Sequence, residues 1–223
     1  MKREVDLLKF YPKSNRPIKD RGNLVTDEDR AVARKFDIEY FDGDRLTGYG
    51  GYGYNPKFWT DTVTYIIDFY NLSNHSKVLD IGCAKGYMMH DLSLLIPEAE
   101  IKGVDISKYA KDHAIESMQE NILVSNANNL PFPDDYFDLV IAINTLHNLP
   151  LIDCKQAFRE INRVTKHNSF VMNDAWRDEK GKQSMLNWNS TALTYMSCDD
   201  WEELFNEVDY KGDYYWFLLG KRF

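Results

Sequence analysis

The chain has 223 residues, 43% of them hydrophobic, which is enough to bury one sizeable core. Its formal charge of −8 argues against nucleic acid or an anionic membrane as the main partner. The three cysteines, Cys83, Cys154 and Cys198, form no CxxC pair, which disfavours a zinc site and a disulfide framework. The N-terminus lacks the apolar run of a signal peptide and no stretch reaches the length of a membrane span, so we expect a soluble, cytoplasmic protein.

Residues 1–57 are predicted to form an extension of short helices and loops, and residues 58–223 the main domain. Within the extension, Thr26 is a predicted helix N-cap because acidic residues follow it. The stretch Asp42–Pro56, DGDRLTGYGGYGYNP, combines five glycines with three tyrosines, and we call it the Gly/Tyr segment. Glycine lets the backbone approach a ligand closely, and tyrosine adds a flat apolar face with a polar tip. This segment is therefore a candidate for an element that covers a ligand.

Short apolar runs alternate with helical patterns through the rest of the chain. In order, the runs are KVLDIGC, IKGVDIS, ILVSNA, FDLVIAI, SFVMNDAW and YYWFLLG. Continuous apolar runs separated by helices are typical of a parallel sheet that is covered on both faces. The predicted fold class is therefore doubly wound α/β, in which ligands bind beyond the carboxyl ends of the strands.

Acidic side chains stand at the strand ends where a ligand is expected. Asp80 lies near the end of the first run, two residues before Gly82, which permits a sharp turn. Asp105 ends the second run, and its carboxylate can accept two hydrogen bonds from a ribose diol. Each acid has an alternative interpretation: Asp80 as an ordinary turn residue, and Asp105 as an acid that the next helix N-terminus stabilises.

The order of these motifs resembles that of the class I S-adenosylmethionine-dependent methyltransferases over residues 58–175. The stretches VLDIGCAKG, GVDIS, NLPFPDDYFDLVIAI and FREINRV carry the resemblance. It implies a mostly parallel, seven-stranded-type Rossmann-like sheet and S-adenosyl-L-methionine as the cofactor. In addition, the Gly/Tyr segment resembles segments of bacterial methyltransferases that are linked to surface-saccharide modification.

The resemblance also implies roles for individual residues at the strand ends. The expected cofactor-binding residues are Asp80, Gly82, Cys83, Gly86, Asp105, Ile106, Asn126, Ala127 and Ile143. The first four are expected to face the methionine part of the cofactor, and Asp105 the ribose hydroxyls. Ile106 is expected to pack on the adenine, and Asn126 and Ala127 to lie near its edge. Ile143, or Asn144 after it, is expected to border the methionine and the sulfonium.

Two residues depart from the family pattern. Ala84 stands where the first motif usually has a central glycine, and Asn126 stands where an aspartate is usual. Alanine is small enough to leave the loop viable, and we expect Asn126 to bond the adenine through its carbonyl oxygen. The alternative for Asn126 is an ordinary turn residue. Met88 and Met89 are predicted to fill the core rather than to contact the cofactor.

His147 follows the fourth strand and is the predicted catalytic base for an alcohol acceptor, because imidazole suits proton transfer near neutral pH. The alternative is a partly exposed histidine at a helix start. Asp174 and Trp176, after the fifth strand, are further candidates for the wall of the acceptor site. An acceptor that is already anionic needs no base, so the requirement for one stays open.

The Gly/Tyr segment is predicted to act as a lid over the mouth of the cofactor site. Tyr49, Tyr52 and Tyr54 would supply stacking faces and hydroxyls, and Arg45 would bind a phosphate or a carboxylate. The alternative is a glycine-rich hairpin or loop that contacts no ligand.

The predicted function is O-methylation of a small polar metabolite: a saccharide, a sugar nucleotide, or a phosphorylated or phosphoramidate-type compound. NTLHNLP stands where base-methylating enzymes often carry an Asn-Pro-Pro-Tyr-like motif, which disfavours nucleic acid as the acceptor. The glycine fingerprint of a nicotinamide-dependent oxidoreductase fails at Ala84 and Tyr87. A non-catalytic cofactor-binding scaffold, or a regulatory partner of another methyltransferase, is the remaining alternative. The sequence predicts no oligomeric state.

Overall fold

The computed structural model describes residues 2–12, 24–50 and 53–219. The strands are β1 (Lys77–Ile81), β2 (Glu100–Asp105), β3 (Ile122–Val124), β4 (Phe137–Ile143), β5 (Thr165–Ala175) and β6 (Asp213–Leu218). The helices are α1 (Asp27–Ala33), α2 (Ile38–Phe41), α3 (Pro56–Tyr70), α4 (Tyr87–Leu95), α5 (Lys108–Asp112), α6 (Leu151–Val164), α7 (Glu179–Trp188) and α8 (Cys198–Glu207). Short 3₁₀ turns precede β3 (Glu116–Asn121) and follow β4 (Leu146–Asn148).

The strands form one sheet with the order β3-β2-β1-β4-β5-β6, and every neighbouring pair is parallel. The order runs outward from β1 to β3 on one side and from β4 to β6 on the other, so it switches between β1 and β4. The doubly wound α/β class predicted from the alternating runs is confirmed. Such a switch opens a crevice beyond the carboxyl ends of the central strands.

The described residues contribute six strands, one fewer than the seven-stranded type that we expected. The N-terminal chain lies along β6 at the edge of the sheet. The Val5 amide donates to the Tyr214 carbonyl at 2.8 Å, and the Tyr214 amide donates to the Arg3 carbonyl at 3.0 Å. The Arg3 guanidinium also pairs with the Asp213 carboxylate at 2.7 Å. These contacts occupy part of the edge that a further strand would need for pairing.

Apolar side chains are buried on both faces of the sheet, which accounts for the continuous apolar runs in the sequence. On one face, α6 and α8 contribute Phe158, Trp201 and Phe205 to the core. On the other face, α3 and α4 form a second core in which Met88 and Met89 are buried, as predicted, although Met88 also lines the cavity described below.

The N-terminal extension packs onto the main domain. Leu7 and Leu8 are buried in the same core as α3 and α4. Thr26 caps α1 through a capping box with Asp29, as predicted. Asn55 caps α3, so this helix already begins within the stretch assigned to the extension. No helix in the described part of the chain combines the length and the apolarity that a bilayer crossing requires.

Candidate functional site

A cavity of about 970 Å³ lies at the carboxyl ends of β1, β2, β4 and β5. This position is where a doubly wound fold is expected to bind its ligand. The outer wall comes from the N-terminal extension and from the loop of residues 189–194, which we call the strap. Ligand sites span roughly 300–1,000 Å³, so the cavity has room for a nucleoside-sized ligand and a second small molecule.

Eight of the nine residues predicted to bind the cofactor line this cavity. They are Asp80, Gly82, Cys83, Asp105, Ile106, Asn126, Ala127 and Ile143. Gly86 lies behind the lining as the N-cap of α4, with a φ of +77°. A Cβ atom there would come within 3.2 Å of the Ile122 and Met118 side chains. Gly86 therefore shapes the start of the helix, and its ligand contact stays a prediction.

Asp80 is a buried carboxylate at the end of β1, with 5% of its surface exposed. Burial and the nearby Asp105 carboxylate raise the pKa of Asp80 to about 8, and no hydrogen bond from the described residues opposes that shift. A cation placed beside Asp80 would offset the desolvation of its carboxylate. This side chain therefore favours a positively charged ligand group such as an ammonium.

Asp105 ends β2 and faces the same cavity. Its Oδ2 accepts a hydrogen bond from the Ala84 amide, and its Oδ1 accepts one from the Ser107 amide, both at 2.8 Å. Burial raises the pKa of this carboxyl, while the backbone amides oppose the shift. Each oxygen has a second lone pair, so the carboxylate can still accept hydrogen bonds from a vicinal diol. Ile106 next to it is 54% exposed, which leaves an apolar surface for a flat ring.

The loop between β1 and α4 requires a small residue at its first turn. Gly82 has a φ of +75°, and a Cβ atom there would lie 2.1 Å from the Thr145 hydroxyl oxygen. Ala84 has a φ of +50°, a left-handed conformation that costs an L-residue about 1–2 kcal/mol. The bond from the Ala84 amide to Asp105 stabilises this conformation, so the loop forms without the usual central glycine. Burial raises the pKa of the Cys83 thiol well above its usual value, which keeps the thiol protonated.

Asn126 lines the cavity with Ala127, just beyond β3. Its Oδ1 accepts a hydrogen bond from the Asn128 amide at 3.1 Å, which makes it the turn residue of the alternative interpretation. This bond also identifies the amide oxygen, because a backbone N–H requires an acceptor. The second lone pair of this oxygen can still accept from the adenine amino group, as expected, and the amide NH₂ group can donate to a ring nitrogen.

His147 lies in the 3₁₀ turn after β4 and is 2% exposed, so it is buried rather than partly exposed. Its Nδ1 accepts a hydrogen bond from the Asp174 amide at 3.2 Å. A neutral imidazole carries one proton, and an occupied Nδ1 lone pair places that proton on Nε2. A base acting through Nε2 would need the opposite tautomer. This geometry favours His147 as a hydrogen-bond donor, and its role as a base stays a prediction.

Asp174 lies at the end of β5, lines the cavity and is 7% exposed. Its Oδ2 accepts a short hydrogen bond from the Asn189 side-chain amide and lies 3.7 Å from His147 Nε2. Asn189 in turn holds the strap, because its Oδ1 accepts hydrogen bonds from the Thr191 and Ala192 amides at 2.8 and 2.6 Å. Sequence reasoning missed Asn189, since it lies in an irregular stretch without a motif.

Trp176 lies outside the cavity lining. It pairs with Ser197 in an isolated parallel bridge, and its carbonyl accepts a hydrogen bond from the Cys198 amide at 2.9 Å. This residue therefore connects β5 to the start of α8, and its predicted place in the acceptor wall is corrected.

A buried ion pair connects the Gly/Tyr segment to the loop after β1. The Lys85 ammonium lies 2.6 and 2.7 Å from the two Asp42 carboxylate oxygens, and the Lys85 side chain is 5% exposed. The Tyr109 hydroxyl also donates to Asp42 at 2.7 Å. Sequence reasoning missed this pair because no pattern relates residues 42 and 85. Its effect is to fix the start of the Gly/Tyr segment beside the cavity.

The four residues predicted to form the lid lie in different places. Tyr49 lines the cavity and stacks on Tyr40 with ring centroids 5.3 Å apart. The Tyr54 hydroxyl instead donates to Asp91 on α4 at 2.5 Å, outside the lining. Arg45 is exposed and lies outside the lining as well. The ligand contacts of Tyr54 and Arg45 therefore stay predictions, and Tyr52 lies outside the described residues.

Within the described ranges, no group of His, Cys, Asp and Glu side chains is arranged to hold a metal ion.

The parallel sheet, the acids at the ends of β1 and β2 and the glycine turn between them define a class I methyltransferase fold. Residues 79–172 match the family described as methyltransferase domain. The chain carries a class I S-adenosylmethionine-dependent methyltransferase domain, whose cofactor is S-adenosyl-L-methionine. The family resemblance of the sequence is thereby confirmed.

Curated relatives share this domain but differ in acceptor. The chain is 28% identical over 132 residues to a malonyl-[acyl-carrier protein] O-methyltransferase of Legionella pneumophila, covering 57% of this chain and 45% of the relative. It is 32% identical over 133 residues to a tRNA (carboxymethyluridine(34)-5-O)-methyltransferase of Arabidopsis thaliana, covering 59% and 31%. The chain thus spans less than half the length of these two relatives.

A solved structure shows the same fold. The YcgJ protein of Bacillus subtilis superposes with a TM-score of 0.54 at 24% identity, over 66% of each chain.

Proposed function

We propose that this chain transfers the methyl group of S-adenosylmethionine to a small polar acceptor that binds between the strap and the N-terminal extension. The observation that carries the proposal is the pair of buried carboxylates, Asp80 and Asp105, at the switch in strand order. Asp80 has no hydrogen-bond partner among the described residues and favours a cation, while Asp105 retains free lone pairs for a diol. The two groups match the ammonium and the ribose of the cofactor.

S-adenosylmethionine supplies an activated methyl group on a sulfonium sulfur. In the proposed complex Asp80 binds the ammonium, Asp105 accepts from the ribose hydroxyls and Ile106 packs on the adenine. The Asn126 amide NH₂ donates to the ring edge. Alignment of an acceptor at a near-attack distance then removes several kcal/mol of the barrier, so the chain mainly has to hold both reactants.

Cationic side chains on the opposite wall support an acceptor that carries an anionic group. Arg34, Lys35 and Lys57 line the cavity, and none of them forms an ion pair with a described residue. Arg34 donates to the Ala192 carbonyl of the strap at 3.2 Å, while its buried Nε–H has no hydrogen-bond partner in the described chain. On a chain of net charge −8, unpaired cations at a cavity wall favour a phosphate or a carboxylate.

A phosphorylated metabolite or a sugar nucleotide is therefore the proposed acceptor class, with oxygen as the methylated atom. The relatives named above do not point to a saccharide, so this choice rests on the cationic wall. The scaffold alternative was suggested by Ala84 and Asn126. It loses support at Ala84, because this residue adopts the left-handed conformation that the loop needs.

An S-adenosylhomocysteine-release assay tests the proposal. Purified chain and S-adenosylmethionine are offered panels of sugar phosphates, nucleotide sugars and uncharged sugars. We expect release with phosphorylated acceptors, and Arg34→Gln should raise the apparent KM for the acceptor about tenfold, since a charge-assisted hydrogen bond contributes about 1.5–3 kcal/mol. Arg159→Gln, at an exposed position on α6, is the matched control. Tight S-adenosylhomocysteine binding without release in any panel would favour the non-catalytic scaffold.

A further inference from the structure

We infer that Asp174, rather than His147, takes the proton of the acceptor, which therefore enters the site as a hydroxyl or an ammonium group. The inference rests on the proposed function and defines the acceptor atom for the same site.

The Asp174 carboxylate is held at a fixed position. Its Oδ2 accepts from Asn189, its backbone amide donates to His147 Nδ1, and its carbonyl accepts from Trp201 Nε1 at 3.0 Å. No described residue donates a hydrogen bond to the other carboxylate oxygen, Oδ1, and Asp174 lines the cavity at the end of β5. A fixed, nearly buried carboxylate with one open oxygen is suited to accept a proton from a bound molecule.

His147 supports this carboxylate and cannot replace it. Its Nδ1 lone pair is occupied by the Asp174 amide, so the neutral ring carries its proton on Nε2. Nε2 lies 3.7 Å from Asp174 Oδ2, which places a donor beside the carboxylate. His147 is therefore a positioning residue that holds the backbone and side chain of Asp174 in place.

The charge of Asp174 selects the kind of acceptor atom. A carboxylate nucleophile, such as the malonyl group named in the Legionella relative, would be repelled by a second carboxylate in a buried site. A hydroxyl or an ammonium can instead donate a hydrogen bond to Oδ1. The anionic group of the acceptor is recognised elsewhere, on the wall that carries Arg34, so one molecule can satisfy both requirements.

The step balances for a hydroxyl acceptor. The oxygen lone pair forms the new C–O bond, the electron pair of the C–S bond goes to sulfur, and the hydroxyl proton goes to Asp174 Oδ1. The positive sulfonium and the negative carboxylate become a neutral thioether and a neutral carboxylic acid. An ammonium acceptor gives its first proton to Asp174 before the nitrogen lone pair attacks.

Nitrogen NMR of the His147 ring tests the assignment without an acceptor. In chain labelled with ¹⁵N-histidine, the His147 signals are identified among five histidines by their loss in His147→Gln. We expect Nδ1 to have the shift of an unprotonated ring nitrogen and Nε2 that of a protonated one. A proton on Nδ1 would overturn the inference, because Nε2 would then be free to act as the base.

Kinetics of Asp174→Asn test the carboxylate itself. We expect turnover of the hydroxyl or amine acceptor to fall by about 10²–10⁴-fold, the usual contribution of a general base, with S-adenosylhomocysteine affinity unchanged within twofold. Asp199→Asn, an exposed acid on α8, should leave both unchanged.

Unchanged turnover in Asp174→Asn, or transfer to carboxylate acceptors alone, would overturn the inference while leaving the proposed function intact. Absence of S-adenosylhomocysteine binding in the unmodified chain would instead remove the proposed function and this inference together.

Discussion

The two sides of the cavity are built in different ways. On the β1–β3 side, the cavity-lining residues from Asp80 to Ala127 lie at the carboxyl ends of three strands or in the loops that follow them. On the β4–β5 side, the wall combines Arg34 of the extension, His147, Asp174 and Asn189 of the strap. The first side is a set of short motifs on one framework, and the second is assembled by tertiary packing. The same sheet can therefore keep its cofactor while the acceptor wall changes, as the different acceptors in the relatives' names illustrate.

Asp105→Ala is expected to have the largest effect, because it removes the main acceptor on the β1–β3 side. Loss of charge-assisted hydrogen bonds to the ribose should weaken S-adenosylhomocysteine binding by about 1.5–3 kcal/mol, measured by calorimetry. Asp61→Ala, at an exposed position on α3, is the control. Affinity within error of the control, in a folded variant, would remove Asp105 from the site.

Asp42→Asn breaks the contact between the Gly/Tyr segment and the β1–β3 side. The substitution leaves the buried Lys85 ammonium without its carboxylate, which should lower the free energy of unfolding by about 2 kcal/mol. This loss is smaller than that expected for a fully buried ion pair, because the Asp42 side chain is 30% exposed. Urea unfolding measures this loss. Asp42→Asn combined with Lys85→Met should recover part of it, and a double variant as unstable as the single one would refute the pairing.

The pKa of Asp80 predicts a pH dependence on the same side. Because this pKa is raised to about 8, the protonated carboxyl favours the folded empty chain, and that contribution is lost as pH rises from about 4 through 8. A bound ammonium favours the ionised form, so S-adenosylhomocysteine affinity should rise up to about tenfold per pH unit below pH 8 and then level off. Calorimetry from pH 6 to 8.5 measures the slope. Asp80→Asn should remove this dependence of affinity on pH. An equal slope in that variant would mean that another group causes the pH dependence.

Substitutions of Tyr49 and Tyr54 are expected to have the smallest effects. They distinguish the part of the Gly/Tyr segment that lines the cavity from the part that contacts α4. Tyr54→Phe removes a hydrogen bond to Asp91 and should lower stability by about 1 kcal/mol without changing ligand affinity. Tyr49→Ala should instead weaken binding several-fold, because Tyr49 lines the cavity. Thermal unfolding and calorimetry on both variants provide the comparison. Unchanged affinity in Tyr49→Ala would mean that the segment contacts no ligand.

The residues that line the β1–β3 side of the cavity could be predicted from the sequence. A residue at the carboxyl end of a parallel strand is positioned by that strand and the short turn after it, so a local motif is enough to place it. Asp80, Asp105 and Ile106 accordingly lie where the motifs placed them. Gly86 lies outside the cavity lining, and its glycine serves a left-handed helix start and close packing. The pattern G-C-A-K-G cannot distinguish that need from the close approach of a ligand.

The β4–β5 side was harder to predict because its partners are distant in sequence. His147 suited a base by its chemistry, but the bond from the Asp174 amide depends on how the 3₁₀ turn after β4 packs beside β5. Asn189 belongs to a loop without periodicity, and only the folded chain brings it to Asp174. The Lys85 and Asp42 pair likewise depends on where the extension docks.

One calorimetric titration tests the central claim that the switch in strand order holds S-adenosylmethionine. The purified chain is titrated with S-adenosylhomocysteine and, separately, with NAD at pH 8, where about half of the Asp80 carboxyl is ionised. We expect saturable one-to-one binding of S-adenosylhomocysteine that is weakened in Asp105→Ala, and no heat with NAD. Comparable binding of NAD, or S-adenosylhomocysteine binding that Asp105→Ala leaves unchanged, would contradict the account.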